Sequence, residues 1–203
     1  MTTITRSYDD FDDARAAVRE LKDLGISDSN ISFIANEKVT KGRRNITGDK
    51  PKDSVADGVA TGAGVGGVIG AAAGLLTGLG LLAIPGVGPV VAAGWLATTA
   101  AGTAAGAAAG AATGGIIDAL TSSGVDERDA HVFAETVRRG GIIVSARVPE
   151  DQALRAQEIL DHHNPIDLEL RRQRLEGTGW SSFDPNAGSY TDPQMDPQRR
   201  DRF

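Results

Sequence analysis

The chain has 203 residues, a formal net charge of −6 and no cysteine. That length holds one domain, or one domain with an appendage; the mild acidity argues against a protein devoted to nucleic acid, and disulfide and thiol chemistry are excluded. Aromatic residues make up only 4%, so Ala and Gly must supply much of the buried surface.

The first residues, Met1 to Arg6, lack the apolar run of a secretory signal, which sets a cytoplasmic expectation. Residues 3–8 alternate and are β-prone, predicting a short strand. Asp9 and Asp10 follow as N-cap candidates, with Asp12 and Asp13 in the first helical turn. Phe11, Ala14, Val18 and Leu21 recur at helical spacing, and Gly25 closes that helix. Asn30 to Ala35 reads as a second strand. Residues 1–35 therefore form a β-α-β unit. A polar, basic linker, 36–57, carries Lys38, Lys41, Arg43, Arg44, Lys50 and Lys52.

From Gly58 to Ile117 there is no charged residue. Glycine recurs every fourth position as Gly58, Gly62, Gly66, Gly70, Gly74 and Gly78, and again as Gly94, Gly102, Gly106, Gly110 and Gly114, with Thr98 in the one vacant slot. Pro85, Gly86, Gly88 and Pro89 lie between the two runs. The reading is a helical hairpin of two small-faced arms, 58–84 and 90–117, turning at 85–89. Small residues four apart let helix backbones approach closely. Each step slips about 40° around a helix of about 3.6 residues per turn, and a longer period favours a right-handed wrap. One straight neighbour cannot use the whole stripe. Each glycine also costs a helix about 1 kcal/mol relative to alanine, so lipid or a dense protein shell must enforce helicity. Either arm would measure about 40 Å as a helix, against a hydrocarbon thickness of about 30 Å, and the basic flank suits a cytoplasmic membrane face. Trp95 could anchor at the interface.

Asp126 caps a further helix with Ala130, Phe133 and Val137 on one stripe, ended by Gly140 and Gly141. In the strand from Gly141 to Val148, Ile142, Val144, Ala146 and Val148 share a face. Pro149 opens another helix with Leu154, Ala156 and Ile159 or Leu160 facing inward, and Ile166 to Leu170 reads as a last strand. Residues 118–170 thus hold a helix and a second β-α-β half. The Arg-, Pro- and Gly-rich tail, 171–203, is expected to be disordered, with Trp180 and Phe183 able to dock on the domain or on an unknown protein.

Catalytic chemistry finds little support. Gly62 to Gly67 matches G-x-G-x-x-G, but no strand precedes it and the next acidic residue is Asp118; the dinucleotide motif needs both features, and no P-loop lysine follows. His162 and His163 are adjacent at a helix end with no third ligand placed beside them. His131, four residues after Glu127, reads as an exposed helix pair. Asp9, Asp10, Asp12 and Asp13 suit a helix N-terminus better than a metal. No cofactor, metal or catalytic residue is expected.

Four features resemble the bacterial general-stress and low-temperature-induced protein family: Tyr8 to Ala14 with Gly25 to Ser32; the turn Ala83 to Pro89; Val137 to Val144; and Gly179-Trp180 with Phe183 to Asn186. The resemblance implies a stress-associated, non-enzymatic protein and brings no catalytic residues. The expectation is an α+β fold with ferredoxin-like split β-α-β halves, an inserted Gly/Ala-rich two-helix hairpin and a disordered tail. The protein would self-assemble and contact lipid, at the cytoplasmic face of the inner membrane or through a membrane-embedded hairpin, with a cytoplasmic location as the alternative. A soluble homo-oligomeric scaffold and a small-molecule sensor are the alternatives.

Overall fold

A computed structural model describes residues 1–36, 80–84, 87–97, 99 and 115–187. The strands are β1 (Thr2–Tyr8), β2 (Ile31–Asn36), β3 (Gly80–Ile84), β4 (Gly88–Ala93) and β5 (Ile142–Val148). The helices are α1 (Phe11–Asp23), α2 (Gly115–Thr121), α3 (Glu127–Arg138), α4 (Ala153–His162) and α5 (Leu168–Glu176). The strands form one sheet in the order β1-β5-β2-β4-β3, with every neighbouring pair antiparallel.

Local signals explain the first unit. The Asp10 side chain accepts the Asp12 N–H at 2.6 Å and starts α1. Gly25 ends it at a φ of +93°, and the Ile26 N–H reaches back to the Leu21 carbonyl. β1 and β2 both pair with β5, which lies between them. α1 and α4 cover one face of the sheet, packing Ala14, Val18, Leu21, Ile159 and Leu160 against Ile4, Phe33 and Val144. The Phe11 and Phe33 rings meet edge to face with centroids 5.7 Å apart.

The opposite face is covered as well. Ile34, Val90, Ala92 and Ile143 pack there against Ile116 and Leu120 of α2 and Phe133 and Val137 of α3. The domain is therefore α+β in three layers, helices on both sides of the sheet. Double coverage explains why all of β2 is buried and why Ile143 and Ser145 are as inaccessible as Ile142 and Val144.

Three expectations are corrected. The two-helix hairpin over 58–117 fails at its centre, because 80–84 and 88–93 are strands. The Val87 N–H closes their turn on the Ile84 carbonyl at 3.1 Å. Extended β2 has one edge on β5, and its other edge needs a partner for its backbone N–H and C=O groups. β4 supplies it, and that non-local demand outweighs the helical look of an Ala/Gly-rich run. Second, the strand expected at Ile166–Leu170 is absent. Ile166 gives β1 a single hydrogen bond, to the Ser7 carbonyl at 2.7 Å. Asp167 then caps α5 by accepting the Leu170 N–H. Third, the tail expected to be disordered from 171 is ordered as far as residue 187: α5 extends to Glu176, and Phe183 is buried in the second core. The remaining parts of the expected hairpin and tail, 58–79, 100–114 and 188–203, lie outside the described residues.

Tyr8 ties β1 to α4, its hydroxyl donating to the Leu160 carbonyl at 2.8 Å. Burial pushes the phenol's pKa well above its ordinary value; Arg6 opposes this, and Asp161 and Asp13 add to it. A raised pKa means the folded state favours the neutral phenol. Its stabilisation is intact below about pH 10, where an unfolded tyrosine ionises, and is lost as the pH rises above that value. Tyr8→Phe should cost about 1 kcal/mol at pH 7 and flatten the fall in stability above pH 10. Urea unfolding of both proteins at pH 7, 9.5 and 10.5 checks this.

Candidate functional site

The glycine-bearing stretches join the sheet around β4, so the candidate surface begins there. β4 stops at Ala93, and Gly94 turns the chain at a φ of +80° into a helical turn at 95–97. A Cβ on Gly94 would sit 2.0 Å from the Ile31 carbonyl oxygen and 2.8 Å from the Ser32 Cα. Two backbones are in direct contact, and only glycine fits. The Ser32 hydroxyl, from the neighbouring strand, accepts the Leu96 N–H at 3.0 Å and caps the turn. Trp95 lies under Arg147, whose guanidinium carbon is 3.5 Å from the ring centroid, a cation–π contact. Beside them Thr5 and Ser145 share a buried hydroxyl hydrogen bond of 2.8 Å. Thr5, Ser145 and Ser32 form one register row across β1, β5 and β2, a buried polar row in this face.

Both excursions begin and end on this structure. Leu96 before residue 98, and Ile116 and Ile117 after residue 114, belong to the same core. A Cβ built on Gly115, whose φ is +36°, would meet Ile84 Cγ2 at 3.5 Å. Residues 37–79 leave from Asn36, which is buried at the end of β2, and return at Gly80, the start of β3.

The expected packing glycines fare unequally. Gly58, Gly62, Gly66, Gly70, Gly74, Gly78, Gly102, Gly106, Gly110 and Gly114 lie outside the described residues, as do Pro85 and Gly86. Gly88, at a φ of +89°, and Pro89 open β4. Gly94 is corrected outright: it belongs to no helical stripe and packs against β2. Its period matched the repeat, but its conformation is set by the strand-to-helix turn.

Several titratable residues make structural contacts. Asp10 is a cap and Asp9 pairs with Arg171. His163 Nε2 lies 3.1 Å from Glu20 on α1, and its ring meets His162 edge to face at 5.4 Å. His131, expected to pair with Glu127, instead accepts the backbone N–H of Phe183 on Nδ1 at 3.2 Å. Among the described residues no group of three or more His, Cys, Asp or Glu is placed to hold a metal. The shallow depression on α4 between Leu154, Glu158 and His162 is open to solvent, and Leu154 beside it is 78% exposed.

Sequence reading missed Glu135, a fully buried carboxylate in the last turn of α3. Arg138 holds it through Nε and Nη2 at 2.8 and 2.6 Å, and Arg139 through Nε at 2.6 Å. The adjacent glycines complete the unit. Gly140 takes a φ of +99°, and a Cβ on Gly141 would lie 2.4 Å from Thr136 Cγ2. The Arg-Arg-Gly-Gly run thus neutralises a buried acid and turns α3 into β5. A Glu three and four residues before two arginines was the available signal.

Gly94→Ala should destabilise the domain by at least about 3 kcal/mol, and Glu135→Ala by about 3 kcal/mol through the arginines left without it. Urea denaturation followed by far-UV circular dichroism measures both. No protein-family model matches the chain, and no curated protein or solved structure matches it significantly.

Proposed function

We propose that this is a non-enzymatic, self-associating protein, with the glycine-repeat stretches 58–79 and 98–114 as its contact surfaces and the three-layer domain as their anchor. The supporting observation is the pairing of β4 with β2. It keeps the turn at 85–89 beside residues 1–36, so the turn cannot lie across a bilayer from them. A single crossing by 58–79 would separate β2 from β3, which share a sheet. As a helix, 98–114 would measure about 25 Å, short of the roughly 30 Å hydrocarbon core, and both its ends attach to one core. Among the described residues no helix is long and apolar enough to cross a membrane. Protein contacts are then the shell that offsets the glycine penalty.

The stress-response role rests on the family resemblance. The β1-α1-β2 unit around β5, continued by α4, is compatible with a ferredoxin-like domain that ends in α5 where a last strand was expected. The basic stretch Lys38 to Lys52 adds a second reading, peripheral attraction to anionic lipid.

Full-length protein sized by light scattering in detergent-free buffer should form a multi-copy particle. Gly66→Leu and Gly106→Leu should each reduce it while leaving the β-sheet circular dichroism unchanged. A monomeric parent, or variants of unchanged size, would sink the proposal. Flotation with anionic and zwitterionic vesicles separates the lipid reading, which predicts binding to the anionic set alone.

A further inference from the structure

After α5, the chain reverses at Gly177 to Gly179; Gly179 has a φ of +82° and open space around it. The Trp180 N–H reaches back to the Leu175 carbonyl. Residues 181–187 then form a strap that puts Phe183 into the second core, 6% exposed. Beyond Phe183 the strap turns on itself, Asp184 Oδ1 accepting the Asn186 N–H at 2.8 Å. Among the described residues, one hydrogen bond ties 181–187 to the helices: Phe183 N–H to His131 Nδ1.

That bond has a protonation requirement. Imidazole Nδ1 accepts a hydrogen bond only while it carries no proton; in the imidazolium both ring nitrogens are donors. Protonation would set a donor against the Phe183 N–H and place a positive charge beside a buried phenyl ring. Docking therefore requires His131 neutral, and protonation of the ring would remove the acceptor that holds the strap.

The charged groups around His131 are mostly engaged elsewhere. On α3, Glu135 is held by Arg138 and Arg139, and Arg128 lies toward Glu176 of α5 at 3.8 Å. Glu127 stands one turn before His131. From α5, Arg172 binds Asp129 and Glu169. From the strap, Asp184 is turned to Asn186. α2 carries one charge, the exposed Asp118, and from the sheet Arg147 lies on Trp95.

We propose that His131 is an acid-sensitive latch: its protonation releases the strap 181–187 and opens the slot that Phe183 fills on the second face. The released state presents an aromatic knob and its complementary slot on the same molecule. The latch stands independently of the self-association reading.

Amide hydrogen exchange of the full chain at pH 7.5 and 5.5, with exchange times scaled for the intrinsic pH dependence, tests it. Peptides covering 181–187 should be protected at pH 7.5 and exchange at least tenfold faster at pH 5.5, while β5 stays protected at both. His131→Asn places a neutral acceptor near the Nδ1 position and cannot gain a proton, so its strap should stay protected at both. Phe183→Ala should expose the strap at both. Asp184→Asn should keep the parent's pH response. Equal strap protection of the parent at both pH values overturns the latch. So does a His131→Asn protein that loses protection in parallel with the parent, or an Asp184→Asn protein that no longer responds to pH.

Discussion

The constraint on which the structure depends is the isolation of β2 from solvent. All its residues are buried, both faces lie under helices and both edges are paired. A strand so enclosed can satisfy its backbone only through neighbours in register. β5 serves one edge from Ile31 to Ala35, and β4 serves the other from Phe33 to Asn36. Both partners come from far along the sequence, so the pairing of β2 is non-local on both edges. Gly94 belongs to this constraint too, since β4 can leave β2 at that angle only where no side chain meets the Ile31 carbonyl.

Arginine supports the helical layers where apolar side chains are scarce. α5 buries only Arg172 and Leu175. Arg172 reaches Asp129 and Glu169, and Arg171 reaches Asp9. Arg138 and Arg139 neutralise Glu135, Arg6 binds Asp161, and Arg147 stacks on Trp95. The planar guanidinium suits these sites because it forks onto carboxylates and lies flat on rings, which an ammonium group does not. Beyond Lys52 the chain has no lysine, and arginine carries the fixed positive charge.

Polar groups in this fold close structural circuits. Ser32 caps a turn on another strand, Thr5 and Ser145 satisfy each other, and Tyr8 satisfies α4. His131 is the exception in kind, since an imidazole Nδ1 can accept the Phe183 N–H only while it carries no proton. The described domain thus holds the residues that flank two glycine-rich stretches and carries one docked strap.

Much was legible in the sequence where the signal was local. β1, α1, β2, α3, β5 and α4 follow from alternation, helical spacing, the caps Asp10 and Asp126, and the closing glycines at 25 and 140. Only the tertiary structure decided the rest. Residues 80–93 lack a periodicity that separates strand from helix, and their state was set by the open edge of a strand more than forty positions earlier. Residues 166–170 alternate like a strand, yet Asp167 offers a cap, and Arg171 and Arg172 reach Asp9 before α1, Asp129 on α3 and Glu169 one turn back, so a helix prevails. Glu135 and His131 look like exposed helix residues until a neighbour covers them. Local pattern specifies the elements because it reports how one segment can bury one face. It does not report which distant edge, acid or ring that face will meet, and in this protein those meetings determine the hairpin, the last helix and the strap.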